Sequence, residues 1–435
     1  MFNKIIGTGG TRILNAISSF VILWLGTNYL GAAEWGLGAI VLLDVTLILI
    51  AVELFAGSGL VYFVPRKHLG ELSIISFTWI VIVIIFFAAL FYALSFFPSL
   101  YHRFVPEGFG PMILLLVLVY SINNFNLNVF LGQDRVGIYN ILFIIQFLSQ
   151  LATMVIAIFV FDIRSAWASA YSLLAGNILA ALVGTVILLT KRHHSGIERG
   201  NWHNTINEMF RYGSVIQLST LVHTLNKRLS FFFLDNYCNK AAVGIYSSGA
   251  QVSESVKLIG HSISLVQLSS ISNSNDPIYA KTITLKLLKA TVILTAIALL
   301  ILVVIPVSVY DFVFGRDFSE MKTILLLLSP GMLMLSANTI FSHYFAGVGK
   351  PRYNFRASLI GLFVTMPSVY FLIPTMGIHG ACLAAVLTYL ITVLYQWYVF
   401  RRDTGCSAKE LIPNKTDWSQ FAEAIRSFFG RLRTH

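Results

Sequence analysis

The sequence predicts an all-α integral membrane protein, with twelve transmembrane helices arranged in two six-helix bundles. Three observations lead to this fold class: an apolar composition, twelve long apolar runs, and a set of short motifs that occurs twice. Of the 435 residues, 57% are hydrophobic and only 11% are charged, whereas a soluble domain carries about 25% charged residues. Such a chain cannot bury its apolar side chains in water, so we expect its solvent to be lipid.

Each apolar run has about 20 residues or more and can cross a hydrocarbon core of about 30 Å. The runs must be helices, because lipid pairs no backbone polar groups and the runs are too continuous for barrel strands. The first run lacks the cleavage pattern of a signal peptide, so it is expected to remain as a helix. The predicted spans are 10–30, 36–64, 73–97, 111–131, 138–161, 166–190, 213–235, 241–270, 286–310, 321–347, 353–373 and 378–400.

Lys and Arg residues set the predicted orientation. Loops after even-numbered spans, counted with the adjoining span ends, hold 13 of them, and loops after odd-numbered spans, counted in the same way, hold 5. The positive-inside rule therefore places the N- and C-termini in the cytoplasm. The net charge of +11 would suit nucleic acid, but the basic residues lie in short loops between apolar runs, so no nucleic-acid partner is expected. The cysteines Cys238, Cys382 and Cys406 form no CxxC pattern, which predicts neither a disulfide nor a metal site.

Short motifs recur along the chain. NYLGAAEWG at 28–36 shares its Asn, Tyr, second Ala and final Gly with NYCNKAAVG at 236–244, at an offset of 208. GQDRVGIYN at 132–140 aligns its Tyr and Asn with those of GVGKPRYN at 347–354, at an offset of 214. We interpret these matches as an ancient duplication, with shared membrane composition as the alternative.

The duplication predicts the domain organisation. Each half has six spans, so both halves enter the membrane from the same side and are related by a pseudo-two-fold axis along the membrane normal. The seam between two such bundles suits a transporter that works by alternating access. The predicted domains are an N-terminal bundle at 1–190, a cytoplasmic linker at 191–212, a C-terminal bundle at 213–400 and a basic tail at 401–435.

Two stretches resemble the polysaccharide flippases of the multidrug/oligosaccharidyl-lipid/polysaccharide (MOP) exporter superfamily. YLGAAEWGLGAI is similar to that family's glycine-rich first loop, and FAGVGKPRYNF followed by IPTMGIHGACLAAVLTY is similar to its spans ten to twelve. The resemblance covers nearly the whole chain in order. Its one departure is that Arg164 and Ser165 stand in the first half where His379 and Gly380 stand in the second, at a family position that is usually small and neutral.

The resemblance implies a MOP/MATE-like fold and a flippase for O-antigen-type lipid-linked oligosaccharides. The cargo would be an oligosaccharide on an isoprenoid diphosphate, moved from the inner to the outer leaflet of the bacterial cytoplasmic membrane for the synthesis of cell-surface polysaccharide or lipopolysaccharide. The implied partners are this cargo and membrane lipids, with a polysaccharide polymerase and glycosyltransferases beside them. No cofactor is implied other than a coupling ion, H⁺ or Na⁺.

Cations inside the predicted spans are the candidate ligands of the diphosphate. An ion at mid-bilayer depth costs at least about 2.5–3.5 kcal/mol, so it indicates a cavity or a partner. The candidates are Arg12, Lys227, Arg228 and Lys257. Alternatively, Lys227 and Arg228 reach outward to the membrane surface, and Arg12 is an interfacial anchor.

Acidic residues inside the spans are candidates for ion coupling: Asp44, Glu53 and Glu254. Asp44 and Glu53 are nine residues apart and should point to opposite sides of their helix. Glu254 and Lys257 should share a helix face with His261. The alternatives are a closed Glu254–Lys257 pair, and a Glu53 that partners an arginine.

Neutral polar residues complete the predicted cavity: His223, Asn124, Asn128, Gln146 and Asn338. Amides hydrogen-bond sugars, but they also join helices to each other, and both interpretations stay open. Arg352 and Arg356, at the inner end of span eleven, fit the positive-inside rule, with capture of a phosphate as the alternative. The segments 202–210 and 418–432 are amphipathic and read as helices on the membrane surface, with partner docking as an alternative for the second.

The sequence lacks the phosphate loop GxxxxGK[ST] and the HExxH and GxSxG motifs, so we do not expect an enzyme. The rival hypotheses are a cation-coupled multidrug exporter of the same superfamily, a membrane glycan-assembly enzyme, and a scaffold for polysaccharide assembly. Deep cations match or outnumber deep acids, which favours an anionic cargo over a cationic drug.

Overall fold

The computed structural model describes residues 2–98, 101, 105–190, 202–272 and 276–411, with most side chains from residue 14 onward. All regular elements in these residues are helical, which confirms the all-α fold class. Contacts group the chain into two compact units, which are described separately. Unit 1 comprises Met1–Ser247 with Asp311–Phe318, and unit 2 comprises Ser248–Tyr310 with Ser319–His435. The predicted domain boundaries stay predictions.

Unit 1 is built on four helices that pack α2 against α4, α5 and α7. Its core holds side chains with almost no exposure, such as Val52, Ile113 and Leu116. Its helices are α1 Phe2–Leu25, α2 Gly31–Ala56, α3 Leu60–Phe63, α4 Leu69–Ser95, α5 Gly110–Gly132, α6 Val136–Phe159, α7 Ala166–Thr190, α8 Trp202–Tyr237 and the first half of α9 Lys240–Ser255. A π-helical turn, Gly26–Leu30, joins α1 to α2.

Unit 2 is centred on a long helix packed among its neighbours. Phe341 and Tyr344 of this helix lie against Phe400 of the last one, with ring centroids 5.4 and 4.8 Å from it, and all three rings are buried. The helices beyond α9 are α10 Lys257–Ser272, α11 Pro277–Val304, α12 Val307–Phe314, α13 Met321–Gly347, α14 Arg352–Met376 and α15 Ile378–Thr404. Two short 3₁₀ helices, Arg316–Phe318 and Ala408–Leu411, complete the described elements.

Nine stretches of the described residues are long and apolar enough to cross a membrane. The first, Leu14–Phe63, contains predicted spans one and two, and the others match spans three to six and nine to twelve. Predicted spans seven and eight are helical as well, but they carry more polar side chains than the others. These two spans hold most of the predicted cavity cations.

The structure differs from the predicted elements in three places. The predicted surface helix at 202–210 and span seven form one helix, α8, because no residue between them breaks it. The predicted span eight is divided at Val256, whose N–H bonds the oxygen of Ser253 in a turn. Helix α11 begins nine residues earlier than predicted, at Pro277, where the side chain of Asp276 caps it by accepting from the N–H of Ile278 at 2.8 Å.

Candidate functional site

Helix α2 runs antiparallel to α8 in unit 1, and two contacts, one with α8 and one with the first residue of α9, mark the ends of the stretch described below. Near one end, Gln217 Nε2 donates to the backbone oxygen of Glu53 at 3.3 Å. Near the other end, Gly36 packs against the backbone of Lys240, just beyond α8. From Gly36 to Glu53 the axis of α2 rises about 25 Å, close to the hydrocarbon thickness of a bilayer. The interval between the two contacts, α2 residues 36–53 and α8 residues 217–237, is called the charged segment below.

The acidic side of the charged segment consists of Asp44 and Asp235. Asp44 is 8% exposed, and its Oδ2 atom has no hydrogen-bond partner in the described part of the chain. Its charge interacts with that of Asp235 on α8, which in turn interacts with Lys240. Two carboxylates that repel each other electrostatically in an apolar environment favour the binding of a proton or a small cation.

The basic side consists of Lys227 and Arg228, both half-buried on α8. Arg228 Cζ lies 4.9 Å from the ring centroid of Phe231. Arg228 follows Gln217 by eleven residues, or three helical turns, so it shares the face that meets α2. His223 lies one turn before Lys227 and is exposed. The charged segment therefore carries Asp44, Lys227 and Arg228 about halfway between its two end contacts, and Asp235 near one of them.

The structure brings together two predicted site residues, Glu53 and Asn124. Asn124 Nδ2, on α5, donates to Glu53 Oε1 at 3.0 Å. With the bond from Gln217, the carboxylate and backbone of Glu53 connect α2 to α5 and α8. Asn128 is half-buried one turn further along α5. The side chain of Asp44 interacts with α8, whereas that of Glu53 bonds α5.

Gln146 lies in a buried amide cluster inside unit 1. Asn123 Nδ2 donates to Gln146 Oε1 at 3.1 Å and to Asn177 Oδ1 at 3.0 Å, and Gln146 Nε2 donates to the same Asn177 oxygen at 3.2 Å. These bonds join α5, α6 and α7. They agree with the open alternative in which amides hold helices together, and the cavity role of Gln146 stays a prediction.

The remaining predicted residues lie in or next to unit 2. Asn338 Oδ1 accepts from Ser342 Oγ at 3.3 Å, and Ser342 Oγ in turn accepts from Gln396 Nε2 at 2.9 Å. Glu254 and Lys257 are half-buried and lie on either side of the break at Val256. The prediction that they share one helix face assumed a single continuous helix, and it therefore does not hold across this break.

Some predictions fall outside the described residues. They concern the side chains of Arg12 and His261, the linker residues 191–201, and the amphipathic tail at 418–432. Within the part of the chain that the structure describes, no three His, Cys, Asp or Glu side chains are grouped as metal ligands would be. The identity of a coupling ion thus stays a prediction.

The structure also adds residues that the sequence reasoning missed. The sequence does not single out Gln217, because a single amide in a long helix forms no periodic pattern. Asp235 was assigned to the end of span seven, where an acid is usually solvated. Asn123 and Asn177 form the amide cluster, whereas the predicted cavity residue is Asn124. The only available signal was that each is a polar residue within an apolar run.

The two motif copies at 28–36 and 236–244 meet each other at one end of the charged segment. A Cβ atom added at Gly36 would clash with the backbone oxygen of Lys240, and one added at Gly244 would clash with that of Ala32. At the offset of 208, Ala32 corresponds to Lys240 and Gly36 to Gly244. The contact is therefore reciprocal, with each copy using the same two positions.

Comparison with solved structures gives the fold. The chain is similar to the lipid II flippase MurJ in an inward closed conformation, with a TM-score of 0.70, 17% identity, and coverage of 93% of this chain and 89% of that one. It is also similar to an inward-facing multidrug resistance MATE transporter of the MOP superfamily, with a TM-score of 0.70, 14% identity, and coverage of 90% and 96%.

Two characterised sequences are related to the chain. The capsular polysaccharide biosynthesis protein CapF of Staphylococcus aureus is 23% identical over 297 residues, which cover 65% of this chain and 70% of CapF. A probable low-salt glycan biosynthesis flippase of Haloferax volcanii, Agl15, is 21% identical over 233 residues, which cover 53% of this chain and 48% of Agl15.

The fold and the charged segment define a multi-pass membrane protein with the architecture of MOP-superfamily transporters. Within that class, the chain belongs to the family of polysaccharide biosynthesis proteins, whose model matches residues 29–323. The resemblance noted in the sequence is thereby confirmed for family and fold.

Proposed function

We propose that this protein flips an oligosaccharide linked to an isoprenoid diphosphate from the inner to the outer leaflet of the bacterial cytoplasmic membrane, by alternating access. The observation that carries the proposal is the pair of half-buried cations, Lys227 and Arg228, halfway along the charged segment. Cations inside a membrane span usually face a cavity or a partner, and a diphosphate is an anion that Lys and Arg side chains bind. The similarity to a capsular polysaccharide biosynthesis protein and to a probable glycan biosynthesis flippase supports the same class of cargo.

The membrane setting of the proposal follows from charge. The excess of Lys and Arg in loops after even-numbered spans supports cytoplasmic termini. A negative-inside potential then favours outward movement of an anionic headgroup, by about 2.3 kcal/mol per charge per 100 mV. Glycosyltransferases that build the cargo and a polymerase that consumes it would act on opposite faces of this membrane, as partners in the pathway.

The experiment measures flipping by purified full-length protein in liposomes that contain a labelled lipid-linked oligosaccharide. Cargo that reaches the outer leaflet becomes accessible to an added glycosidase. We expect the K227Q/R228Q variant to flip about thirtyfold more slowly or worse, because losing charge pairing to a buried anion costs at least about 2 kcal/mol.

The matched control is K286Q, which removes an exposed cation from α11 and should flip at the wild-type rate. A wild-type rate in K227Q/R228Q would contradict the role of these cations. A wild-type protein that does not accelerate flipping over empty liposomes would contradict the proposed function itself.

The acids Asp44 and Asp235 favour a second candidate, a cation-coupled exporter of cationic drugs. Their interaction gives the charged segment a negative part that a cationic cargo could use. Drug susceptibility of cells that overproduce the protein separates the two functions. Resistance to cationic drugs without any effect on lipid-linked oligosaccharide would favour the exporter.

A further inference from the structure

Three arginines of unit 2 surround one aromatic ring. The guanidinium carbons of Arg352, Arg356 and Arg402 lie 5.3, 5.8 and 5.9 Å from the ring centroid of Tyr353. The ring is 7% exposed, whereas all three arginines are exposed. Arg402 Nη2 also donates to the hydroxyl of Tyr353 at 3.1 Å. Arg352, Arg356 and Arg402 are called the arginine cluster below.

The arginine cluster is poorly neutralised by the protein. Its nearest acid, Asp403, bonds Lys350 at 2.7 Å and stands 3.7 Å from Arg402. In the described residues, neither Arg352 nor Arg356 forms an ion pair, and their recorded partner is the tyrosine ring. Lys350 and Arg402 share the single carboxylate of Asp403, and Arg352 and Arg356 add two positive charges around Tyr353, which leaves an excess of positive charge on a small surface.

Helix stability does not explain this arrangement. Arg352 is the first residue of α14, where the positive end of the helix macrodipole disfavours a cation. Of the three arginines, only Arg402 lies where the helix dipole favours a cation, in the last turn of α15. The two arginines of α14 are also one turn apart on one face, an arrangement that brings like charges together and destabilises a helix slightly.

The other copy of the repeat shows that the local fold does not need the arginines. At the offset of 214, Tyr353 corresponds to Tyr139, and Arg352 and Arg356 correspond to Ile138 and Leu142. At the offset of 215 that aligns Arg164 with His379, Arg402 corresponds to Ile187. In unit 1 these residues pack together in a single apolar cluster with Tyr139, whose ring stacks on Phe143 at 5.7 Å. The same helical corner is therefore apolar in one copy and basic in the other.

The chemistry of the arginine cluster suits a phosphate group. A guanidinium presents paired N–H donors that match two phosphate oxygens, and three of them converge from two helices. By the positive-inside rule, this end of the bundle is expected on the cytoplasmic side, and the arginines lie at the ends of two predicted spans. An anion with two or more charges would offset the positive excess.

We propose that the arginine cluster binds the phosphate or diphosphate headgroup of a membrane lipid. The proposal needs a phosphorylated lipid in the cytoplasmic leaflet; that this lipid is the cargo itself rests on the proposed function. The ring of Tyr353 holds the three guanidiniums in place. Lys350 bonds Asp403, so this carboxylate competes less with the lipid phosphate for the arginines.

The test measures binding of radiolabelled farnesyl diphosphate to the full-length protein in phosphatidylcholine nanodiscs. We expect saturable binding that weakens about tenfold or more in R352Q/R356Q. The R352K/R356K variant keeps the charge that sets membrane orientation but loses the paired donors, so its affinity should also fall, by about threefold or more. K286Q serves as the control, with unchanged affinity.

Competitors identify the source of the headgroup. If neither inorganic diphosphate nor phosphatidylglycerol displaces the ligand, the site is specific for a prenyl diphosphate. Displacement by phosphatidylglycerol indicates a site for bulk anionic lipid. Displacement by inorganic diphosphate indicates a site that recognises the phosphate groups alone. The proposal is overturned if binding is not saturable, or if both double variants bind like the wild type.

The flipping assay separates this proposal from the proposed function. Wild-type protein that binds farnesyl diphosphate through the arginine cluster but does not flip cargo supports the site and contradicts the flippase. Wild-type protein that flips cargo, with both double variants equal to it in binding, contradicts the site alone. Should R352Q/R356Q fail to fold, the lysine variant carries the comparison.

Discussion

Glu53 is a carboxylate inside a predicted span that takes part in a hydrogen bond between helices. It is half-buried on α2, and its side chain accepts a hydrogen bond from the neutral amide of Asn124 at 3.0 Å. In the described residues it forms no ion pair. An amide partner stabilises the carboxylate without neutralising it, so its charge remains available to a proton or a sodium ion.

Replacing Glu53 by glutamine removes this charge while preserving the shape of the side chain. We propose that flipping by the wild type responds to an imposed proton or sodium gradient through Glu53 and its neighbour Asp44. We expect E53Q and D44N each to flip at a rate that no longer changes with the gradient. The measurement is the initial flipping rate in liposomes with and without each gradient.

The control for these variants is E320Q, which alters an exposed carboxylate outside the charged segment and should keep the gradient response. If the wild type ignores both gradients, coupling through Glu53 and Asp44 is refuted. The same conclusion follows if E53Q and D44N respond as the wild type does.

At the residue scale, the sequence could indicate which side chains are unusual but not which ones meet. Asp44, Glu53, Asn124 and Gln146 stand out as polar residues in apolar runs. Their partners depend on helix rotation and register, which are set by packing across the whole bundle. A rotation by one residue, about 100°, decides whether Asn123 or Asn124 reaches Gln146.

At the scale of elements, the close approach of α2 and α9 depends on two glycines. Replacing Gly36 by alanine would normally favour a helix, but the added methyl group meets the backbone of Lys240, which cannot move as a side chain does. We expect G36A to lower stability by about 1–3 kcal/mol. The measurement is thermal unfolding of the detergent-solubilised protein, followed by size-exclusion fluorescence.

The matched control is G137A on α6, where an added Cβ meets nothing within 4 Å. This variant should be unchanged or more stable by up to about 1 kcal/mol. Equal stabilities of G36A and G137A would mean that the contact between α2 and the start of α9 is looser than the structure has it.

Helix existence was predictable because lipid requires long apolar helices, but helix limits were less so. The start of α11 was in fact signalled by Asp276 followed by Pro277, a cap and a first-turn proline. The break at Val256 was not, because it depends on which bonds the neighbouring serines make. Ser255 Oγ donates to the oxygen of Val252 at 2.6 Å, in competition with the helix.

At the scale of the whole molecule, the three cysteines report on orientation. Cys238 is exposed in the turn between α8 and α9, while Cys382 and Cys406 are buried. The predicted topology puts Cys238 outside the cell. We expect a membrane-impermeant maleimide to label intact cells at Cys238, and C238S to lose the label. Desolvation raises the pKa of the Cys238 thiol, so labelling should speed up as the pH rises.

Label that appears on Cys238 only in inside-out vesicles would reverse the assigned orientation. A C238S protein that is still labelled in intact cells would instead show that a cysteine buried in the structure is accessible. The fold class itself was predictable, since it follows from composition and from the number of apolar runs. The division of α9 between two compact units was not, because contacts rather than hydropathy decide it.

The reciprocal contact of Gly36 and Gly244 bears on how such a chain could have arisen. Identical subunits that associate around a two-fold axis touch through the same patch, residue for residue. Ala32 and Gly36 meet Lys240 and Gly244 in that manner, although all four now belong to one polypeptide. An ancestral chain of half this length could therefore have formed a homodimer through this patch, and gene fusion would have made the partnership permanent while leaving each half free to acquire its own charges.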